Sequence, residues 1–516
     1  MASIRRRVRS ASSRARRVVR AENASGCAGW FGFSFRGVFV CGVFVCVNSE
    51  TDCFVCLGLK AAQPPFSAVV DAMSPSTRAT RAPRIEHHRV LQKSRWISAS
   101  RTVKTPPPTT TTLRSFSTEA DLASGVYDYA ALFRRGREGG AVAAFAAPME
   151  GLGDCRFRIA LGANGDGGFD EACREFIRVP GTLPNGADAN KLLRNLCARY
   201  DAEELGSIPL AAQVMGSETD LLEIASRHLA VDKAAPRIDL NCGCPANVVT
   251  GKGAGSSLLR DPEHVYSCVK AVVDGASGSG SIVTMKLRSG YDDSSLLREN
   301  LCAAREAGAK FVSLHARTRA QGYSGRANWE EIAFAKEVLD IPVIGNGDVT
   351  SPQRFAELLE VSNADGVMIG RGAVTDPLLF RRIAATVSRD ANGTVRVSED
   401  LFEREFEVGL VIDFLRTFAK EVFKTENKPS GKRGAGVIAA ELNAFKVGKI
   451  KSIVKYLFAG NPSLEPHMST VMQLDPSKNS AEDVLVIVEN LVAREWQRPV
   501  NVLVDGFSKR NQYVGS

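Results

Sequence analysis

From residue 141 onward, short apolar runs alternate with longer segments in which apolar residues recur every three or four positions. Short runs of this kind are typical of buried strands, and the longer periodic segments are typical of amphipathic helices. The predicted strands cover 142–146, 175–179, 209–214, 237–240, 282–287, 311–314, 341–344 and 366–369. The predicted helices include 218–228, 262–273, 296–307, 329–338 and 352–359, the last with proline at its favoured first position.

Strands that alternate with helices form parallel sheets. Eight such repeats within about 245 residues predict a TIM barrel, a closed ring of eight parallel strands surrounded by helices. An open, doubly wound sheet is the competing fold, but no Gly-x-Gly-x-x-Gly motif follows the first predicted strand. We therefore predict a barrel over 136–390, a smaller helical domain over 391–500 and a tail over 501–516.

Composition changes this picture mainly at the N-terminus. The 516 residues carry a net charge of +9, but residues 1–130 alone carry +11, so the remainder sums to −2. The first 20 residues contain eight arginines and no acidic residue, which is typical of an organelle transit peptide. A basic nucleic-acid-binding arm or plain disorder is the alternative. The segment Arg114-Ser-Phe-Ser117 resembles a mitochondrial presequence cleavage site.

We expect residues 1–135 to form a disordered leader that directs the protein to a mitochondrion or plastid. If the leader is an artefact of the gene model, we expect a cytoplasmic protein. The apolar stretch 26–47 is interrupted by Arg36, whereas a membrane span takes ~20 apolar residues, so no stable membrane association is expected. The 12 cysteines lack the spacing of a disulfide framework, which indicates reduced thiols.

Polar clusters follow most of the predicted barrel strands. Because the active site of a TIM barrel lies at the C-terminal ends of its strands, these clusters are expected to meet at one mouth. They are Pro148-Met149-Glu150, Gln213, Asn241 to Pro245, Lys286 with Arg288, His315-Ala-Arg317-Thr318, Gly345-Asn346-Gly347-Asp348 and Gly370-Arg371-Gly372.

The chemistry of these clusters favours an anionic ligand. The glycines at 345–347 and 370–372 would let backbone N–H groups approach a phosphate, and a plain tight turn is the alternative. Lys286, after an apolar strand, would need an anionic or electron-rich partner, although it could also extend to solvent. His315 fits a structural and a catalytic role equally well.

Two cysteines in the loop after the fourth strand could serve as nucleophile, acid, metal ligand or packing. Cys242 and Cys244 are two residues apart and would point the same way on an extended segment. A zinc site needs about four N or S ligands, and no partner motif is nearby, so no metal is expected. Cys244 precedes Pro245 and a glycine-rich loop and is the better candidate for the reactive thiol.

Taken in order, these motifs resemble the tRNA-dihydrouridine synthases, which are FMN-dependent TIM-barrel flavoenzymes. The resemblance covers about 141–385 and is weaker over 400–500. It is nearest to the bacterial C-type branch because of Asn241-Cys-Gly-Cys-Pro245 and Glu175-Phe-Ile-Arg178. It is carried by Ala147-Pro-Met-Glu-Gly151, Asn241-Cys-Gly-Cys-Pro245, Lys286-Leu-Arg-Ser-Gly290, His315-Ala-Arg-Thr318, Gly322-Tyr323, Asn346-Gly-Asp348 and Gly370-Arg-Gly372.

The resemblance implies a role for each matching residue. Pro148, Met149 and Glu150 would lie against the flavin, with His315 beside it, and Gln213 and Lys286 would hydrogen-bond its ring. The ribityl chain and phosphate would be held by Asn346, Gly347, Asp348, Gly370 and Arg371. NADPH or NADH would reduce FMN, and the flavin would pass hydride to C6 of a uracil extruded from folded tRNA. Cys244 would supply the proton to C5, since an unperturbed thiol (pKa ~8.5) is mostly protonated at neutral pH.

A basic segment near the C-terminus points to the substrate. Residues 424–455 hold eight Lys/Arg and two Asp/Glu within a body of net charge −2. Lys446, Lys449, Lys451 and Lys455 would contact the tRNA backbone, as would Arg288 and Arg317 at the mouth, whereas a solvated helix face is the alternative. A small-molecule flavoenzyme of the same barrel type, such as a pyrimidine or dihydroorotate-type dehydrogenase, would not need this segment. A barrel that only binds RNA is a third hypothesis, and the intact Cys244, Lys286 and His315 disfavour it. We expect a monomer.

Overall fold

The computed structural model describes residues 127–138, 140–163, 167–246, 253–399, 402–425 and 435–499, together with two strands near the N-terminus. These strands, β1 (Trp30–Phe35) and β2 (Val38–Val43), form an antiparallel hairpin. The predicted transit peptide, the presequence cleavage site and the tail over 501–516 lie outside the described residues. Within the described part of the chain, no helix is long and apolar enough to cross a membrane.

A closed barrel of eight parallel strands forms the centre of the protein, as the alternation of patterns predicts. Neighbouring strands pair around the ring, and pairing of β4 with β6 closes it. The strands are β3 (Ala143–Ala146), β4 (Glu171–Cys173), β6 (Leu210–Met215), β7 (Arg237–Cys242), β8 (Ile282–Gly290), β9 (Val312–Thr318), β10 (Val343–Asn346) and β11 (Gly366–Ile369). A two-residue strand, β5 (Ile177–Arg178), pairs with β6 outside the ring.

Amphipathic helices cover the outside of the barrel. Their apolar faces pack on the outward-facing residues of the strands, which makes one continuous core. They are α2 (Cys155–Leu161), α3 (Ala189–Cys197), α4 (Thr219–Arg227), α5 (Pro262–Ala276), α6 (Leu297–Glu306), α7 (Glu330–Val338) and α8 (Pro352–Ser362). Helix α8 begins as expected, because the Ser351 side chain accepts a hydrogen bond from the backbone N–H of Arg354 and Pro352 occupies the first turn.

The second barrel strand was predicted at the wrong place. The apolar run over 175–179 contributes only β5, whereas the barrel strand is β4, which begins at Glu171. Glu171 is fully buried against the guanidinium of Arg237 inside the barrel. A hydropathy pattern places a glutamate outside the core, because it does not reveal that a buried arginine will neutralise it.

A helix that belongs to the barrel starts inside the predicted leader. Helix α1 (Tyr129–Arg137) begins after Asp128, whose side chain accepts a hydrogen bond from the N–H of Ala131. Its aromatic residues Tyr129 and Phe133 pack with Phe145 and Phe311 in a small core of their own. Residues 129–135 of the predicted leader therefore belong to a helix that packs against the barrel.

The C-terminal part is helical, and it packs on the barrel rather than standing apart. Phe157 of α2 contacts Phe414 of α11 edge to face, with 6.0 Å between ring centroids. A small hairpin of β12 (Val387–Arg389) and β13 (Val395–Val397) straddles the predicted boundary at residue 390. The helices are α9 (Arg371–Thr375), α10 (Leu379–Thr386), α11 (Arg404–Phe423), α12 (Ala435–Ala459), α13 (Met468–Met472) and α14 (Ala481–Glu495).

Candidate active site

A cleft opens at the C-terminal ends of the barrel strands, where the polar clusters were expected to meet. It is open to solvent on one side, and its empty volume of about 840 Å³ includes part of that solvent. Nine of the eleven residues predicted to hold a cofactor line it: Pro148, Met149, Lys286, His315, Asn346, Gly347, Asp348, Gly370 and Arg371.

One wall of the cleft is cationic. The ammonium of Lys286 donates to the side-chain oxygen of Asn346 at 3.1 Å, and the Asn346 amide donates to the carbonyl of Met368 at 2.8 Å. Although it reaches the cleft, the Lys286 side chain is surrounded by protein, and burial, with the nearby charge of Arg288, lowers its pKa to about 8. Burial, with the surrounding cations, also holds the pKa of His315 well below its usual value. His315 is therefore neutral at physiological pH, and the wall is set to receive negative charge.

The residues around Gly347 are held in place by a buried ion pair. Arg317 donates to the carboxylate of Asp348 at 2.8 Å, and both side chains are almost completely buried. The N–H of Ala327 donates to the same carboxylate at 2.6 Å. Gly347 has a φ of +128°, and a side chain there would lie 2.8 Å from the Cβ of Ala327. Asp348 lines the cleft, but its carboxylate is occupied by protein groups, so it shapes this loop.

The loop carrying Cys244 is held by hydrogen bonds on both sides of the cysteine. The side-chain oxygen of Asn241 accepts from the N–H groups of Gly243 at 3.0 Å and Cys244 at 2.9 Å. The carbonyl of Cys244 accepts from the N–H of Ser256 at 3.1 Å and from its hydroxyl at 2.8 Å. Arg288 donates to the carbonyl of Gly243 at 2.9 Å. These bonds fix the backbone of the thiol-bearing residue at the mouth of the barrel.

The two cysteines of this loop lie in different environments, contrary to the expectation that they point the same way. Cys242 ends β7 and is fully buried in the core against the helical layer, near Cys268. The turn made by Asn241 ends the extended conformation, and Cys244 lies beyond it, half-buried. Burial raises the pKa of the Cys244 thiol, which therefore remains protonated at neutral pH. Cys244 is thus suited to donate a proton and unsuited to act as a thiolate nucleophile.

Two of the predicted cofactor residues do not line the cleft. Gln213 is fully buried below it, where its amide donates to Asp239 at 2.7 Å and accepts from Asn241 at 2.9 Å. Glu150 lies beside the cleft and is largely exposed, but partial burial of its carboxyl, together with the nearby Glu175, raises its pKa. Their predicted contacts with a flavin stay predictions.

Two tyrosines at the mouth were not among the predicted site residues. The ring of Tyr323 lies 4.4 Å from the guanidinium carbon of Arg371 and 5.3 Å from that of Arg288, and the residue is 43% exposed. Burial raises the pKa of Tyr456 on α12, and the charge of Arg371 opposes that rise, so the helical part also reaches this wall. Tyr323 follows Gly322 in a motif that could have identified it, whereas the position of Tyr456 depends on how α12 packs.

The lysines predicted to contact RNA differ in whether their ammonium groups already bind protein. Lys449 forms an ion pair with Asp154 at 2.9 Å, and Lys451 donates to the carbonyls of Met472 at 3.0 Å and Leu474 at 2.5 Å. Lys446 lies over the ring of Phe423 at 5.7 Å. RNA contact by Lys446, Lys449, Lys451 and Lys455 stays a prediction, but two of these ammonium groups already bind protein.

The two arginines predicted to contact RNA at the mouth are buried. Arg288 donates to the carbonyls of Thr318 at 3.1 Å and Gly322 at 2.7 Å, besides that of Gly243. Arg317 is fully buried and bound to Asp348. RNA contact by Arg288 and Arg317 stays a prediction, although protein covers both side chains in this structure. Among the described residues, no cluster of three or more His, Cys, Asp or Glu is arranged to hold a metal ion.

Comparison with known proteins agrees with this site. A sequence model of the family described as dihydrouridine synthase (Dus) matches residues 145–408. The chain belongs to the dihydrouridine synthase family. The match spans the whole site, from the loop at Pro148 to the arginine at 371, and confirms the expected enzyme class, an FMN-dependent oxidoreductase.

Individual dihydrouridine synthases from bacteria are similar over the barrel. The tRNA-dihydrouridine(16) synthase of Neisseria meningitidis is 38% identical over 237 residues, 46% of this chain and 69% of that protein. The tRNA-dihydrouridine(16) synthase of Cupriavidus necator is 39% identical over 46% of this chain and 72% of its own. A probable tRNA-dihydrouridine synthase 1 of Synechocystis is 43% identical over 34% of this chain and 48% of its own. These relatives support the expected bacterial-type branch.

The cleft fits an FMN molecule chemically. Met149, Met368 and Ile369 line it with apolar surface that would accommodate a flat ring system, and Lys286 and Arg371 line it with donors that would suit a polar ring edge and a phosphate. A side chain added at Gly372 would come within 2.1 Å of the carbonyl of Val349, so glycine lets the two loops of this wall pack closely against each other. Both kinds of surface are required, because FMN combines an apolar ring with a dianionic phosphate.

Proposed function

We propose that this protein reduces the C5=C6 bond of a uridine in tRNA to 5,6-dihydrouridine, with FMN in the cleft and Cys244 as the proton donor. One observation carries the proposal. A thiol kept protonated by burial lies on a hydrogen-bonded loop at the same end of the barrel as a cleft with apolar and cationic lining, although Cys244 does not itself line that cleft.

Each group in the site has a task in this reaction. Bound reduced FMN supplies a hydride for C6 of the uracil ring. Cys244 holds the proton that C5 requires, and its raised pKa keeps that proton in place until the ring accepts it. Lys286 provides positive charge next to the cofactor. Tyr323, exposed beside Arg371 at the mouth, offers a flat surface on which an extruded base can stack.

Finer features of the substrate and reductant belong to the same proposal. Relatives named for position 16 support uridine 16 of tRNA as the target. We propose NADPH or NADH as the reductant, a monomeric enzyme, and an organelle location directed by the arginine-rich N-terminus. The basic segment around α12 would add a sequence-blind contact with the RNA backbone, which shape recognition then complements.

The experiment compares the wild-type protein with Cys244→Ala and with Cys155→Ala, an exposed cysteine on α2. Wild-type protein should purify yellow, bleach on addition of NADPH and form dihydrouridine in tRNA transcripts. Cys244→Ala should retain flavin and bleaching but lose dihydrouridine formation, and Cys155→Ala should behave as the wild type. A colourless protein, or full activity in Cys244→Ala, would contradict the proposal.

The alternative substrate class is tested with the same enzyme. Uracil, uridine and dihydroorotate are supplied in place of tRNA, together with a tRNA in which uridine 16 is replaced by cytidine. Turnover of a free pyrimidine at rates above those with tRNA would favour the small-molecule hypothesis. Loss of product with the cytidine variant alone would assign position 16.

A further inference from the structure

A continuous chain of buried hydrogen bonds crosses the barrel interior and ends at the cysteine loop. At its lower end Tyr129 of α1 donates to Glu171, and Arg237 donates to Glu171 at 3.0 Å and to Asp239 at 3.1 Å. Thr284 accepts from Arg237 at 2.7 Å and donates to Asp239 at 2.6 Å. All these side chains are almost completely buried.

The chain continues upward through two amides. Gln213 donates to the second carboxylate oxygen of Asp239 at 2.7 Å, and the amide of Asn241 donates to the side-chain oxygen of Gln213 at 2.9 Å. The side-chain oxygen of Asn241 then accepts from the N–H groups of Gly243 and Cys244. Arg237, Asp239 and Asn241 occupy alternate positions of β7, so their side chains share its inner face.

The chemistry of the two ends determines the orientation of both amides. The carboxylate of Asp239 can only accept, so Gln213 must turn its NH₂ group toward it and its oxygen toward Asn241. The backbone N–H groups of Gly243 and Cys244 can only donate, so Asn241 must turn its oxygen toward them. Both requirements are met by the same arrangement, so no group in the chain faces a like partner.

We propose that Asp239 is a positioning residue that places the thiol of Cys244 by fixing the direction of the Gln213 and Asn241 amides. Arg237 anchors Asp239 from below, since its guanidinium forms ion pairs with both buried carboxylates, Glu171 and Asp239. The importance of this placement for catalysis rests on the proposed role of Cys244 as proton donor. The placement of the thiol itself can be measured separately.

The variant Asp239→Asn should reverse the orientation of the Gln213 and Asn241 amides, while the side chain at position 239 keeps its shape. The new side chain has one oxygen, which stays where Arg237 and Thr284 both donate to Asp239, because an NH₂ group there would face the guanidinium of Arg237, which can only donate. The new NH₂ group then faces Gln213, which must turn its oxygen downward and its NH₂ group upward. Asn241 is forced to turn as well, and the N–H groups of Gly243 and Cys244 lose their acceptor.

A second substitution should restore the chain in the opposite direction. In the double variant Asp239→Asn/Asn241→Asp, the turned NH₂ group of Gln213 donates to one oxygen of the new carboxylate. The other oxygen of that carboxylate accepts from the N–H groups of Gly243 and Cys244. The single variant Asn241→Asp should be defective, because both carboxylates then demand the one NH₂ group of Gln213. Reciprocal rescue of this kind is not expected from residues that merely fill space.

The measurement is the rate at which iodoacetamide alkylates Cys244, read by mass spectrometry, with exposed Cys155 as the reference in the same molecule. Loss of two hydrogen bonds, each worth about 1 kcal/mol, should accelerate alkylation of Cys244 about tenfold or more in Asp239→Asn. The double variant should return to within about threefold of the wild type, and alkylation of Cys155 should not change.

Equal rates in the wild type and Asp239→Asn, or a double variant no slower than Asp239→Asn, would overturn the proposal. If Asp239→Asn does not fold, Gln213→Met serves instead, because it leaves the deeper contacts of Arg237 with Glu171 and Asp239 in place. It removes the acceptor of the Asn241 amide, so alkylation of Cys244 should again be faster, and unchanged alkylation would refute the idea. Since alkylation needs no substrate, a protein that forms no dihydrouridine could still pass this test, and the two proposals can fail independently.

Discussion

Replacing Asp348 by alanine should strongly destabilise the fold, although the residue lines the cleft. The carboxylate accepts from Arg317 at 2.8 Å and from the N–H of Ala327 at 2.6 Å, and both charged side chains are almost completely buried. Removal of one partner from a buried ion pair costs about 3–5 kcal/mol. Asp348 also has a φ of +58°, which adds about 1 kcal/mol for alanine. The expected loss in the free energy of unfolding is therefore about 4–6 kcal/mol.

The variant Asp348→Asn separates charge from shape. Asparagine keeps one acceptor oxygen and tolerates the left-handed backbone, so its cost should be smaller, about 1.5–3 kcal/mol. Urea unfolding followed by tryptophan fluorescence measures both variants, and Trp329, which donates to the carbonyl of Gly347 at 3.1 Å, lies beside the site. Glu223→Ala is the control, because its pair with Arg227 on the surface of α4 is exposed and should cost less than about 1 kcal/mol.

The reasoning fails if Asp348→Ala costs no more than Glu223→Ala. It also fails if the effects of Asp348→Ala and Arg317→Met simply add in the double variant. The double variant should lose at least about 1 kcal/mol less free energy of unfolding than the two single variants lose in sum, since the second substitution removes the charge that the first leaves unpaired.

Three further predictions concern the cofactor, the domain contact and the RNA. Because Lys286 has a pKa lowered to about 8, FMN affinity should fall as the pH rises through about 8, and fluorescence titration of Lys286→Met should show no such step. Phe414→Ala should destabilise the protein by about 3–5 kcal/mol in urea unfolding, since it empties the contact with Phe157, and a cost below about 1 kcal/mol would mean that the helices are only loosely attached. Lys446→Glu and Lys455→Glu together should weaken tRNA binding in filter-binding assays, more at low than at high salt, while NADPH oxidation persists. Unchanged binding, or a loss that does not depend on salt, would mean that these lysines form a solvated helix face and do not contact RNA.

Much of the site was predictable because its residues follow strands. The barrel places the C-terminal ends of its strands at one mouth. Once eight repeats are recognised, a polar residue that follows an apolar run is therefore predicted to lie at that mouth. Lys286, His315, Asn346 and Arg371 reach the cleft for this reason. Local chemistry also sufficed for the start of α8, where a serine and a proline define the first turn.

The sequence by itself therefore determined the architecture, the mouth and the class of chemistry, because those depend on periodicity and on residue types at strand ends. Tertiary structure alone decided the place of Glu171, the burial of Arg317 and the direction of the amides below Cys244. The physical reason is the same in each case. A charged or amide side chain can be buried only when its partners surround it, and these partners come from strands far apart in the chain.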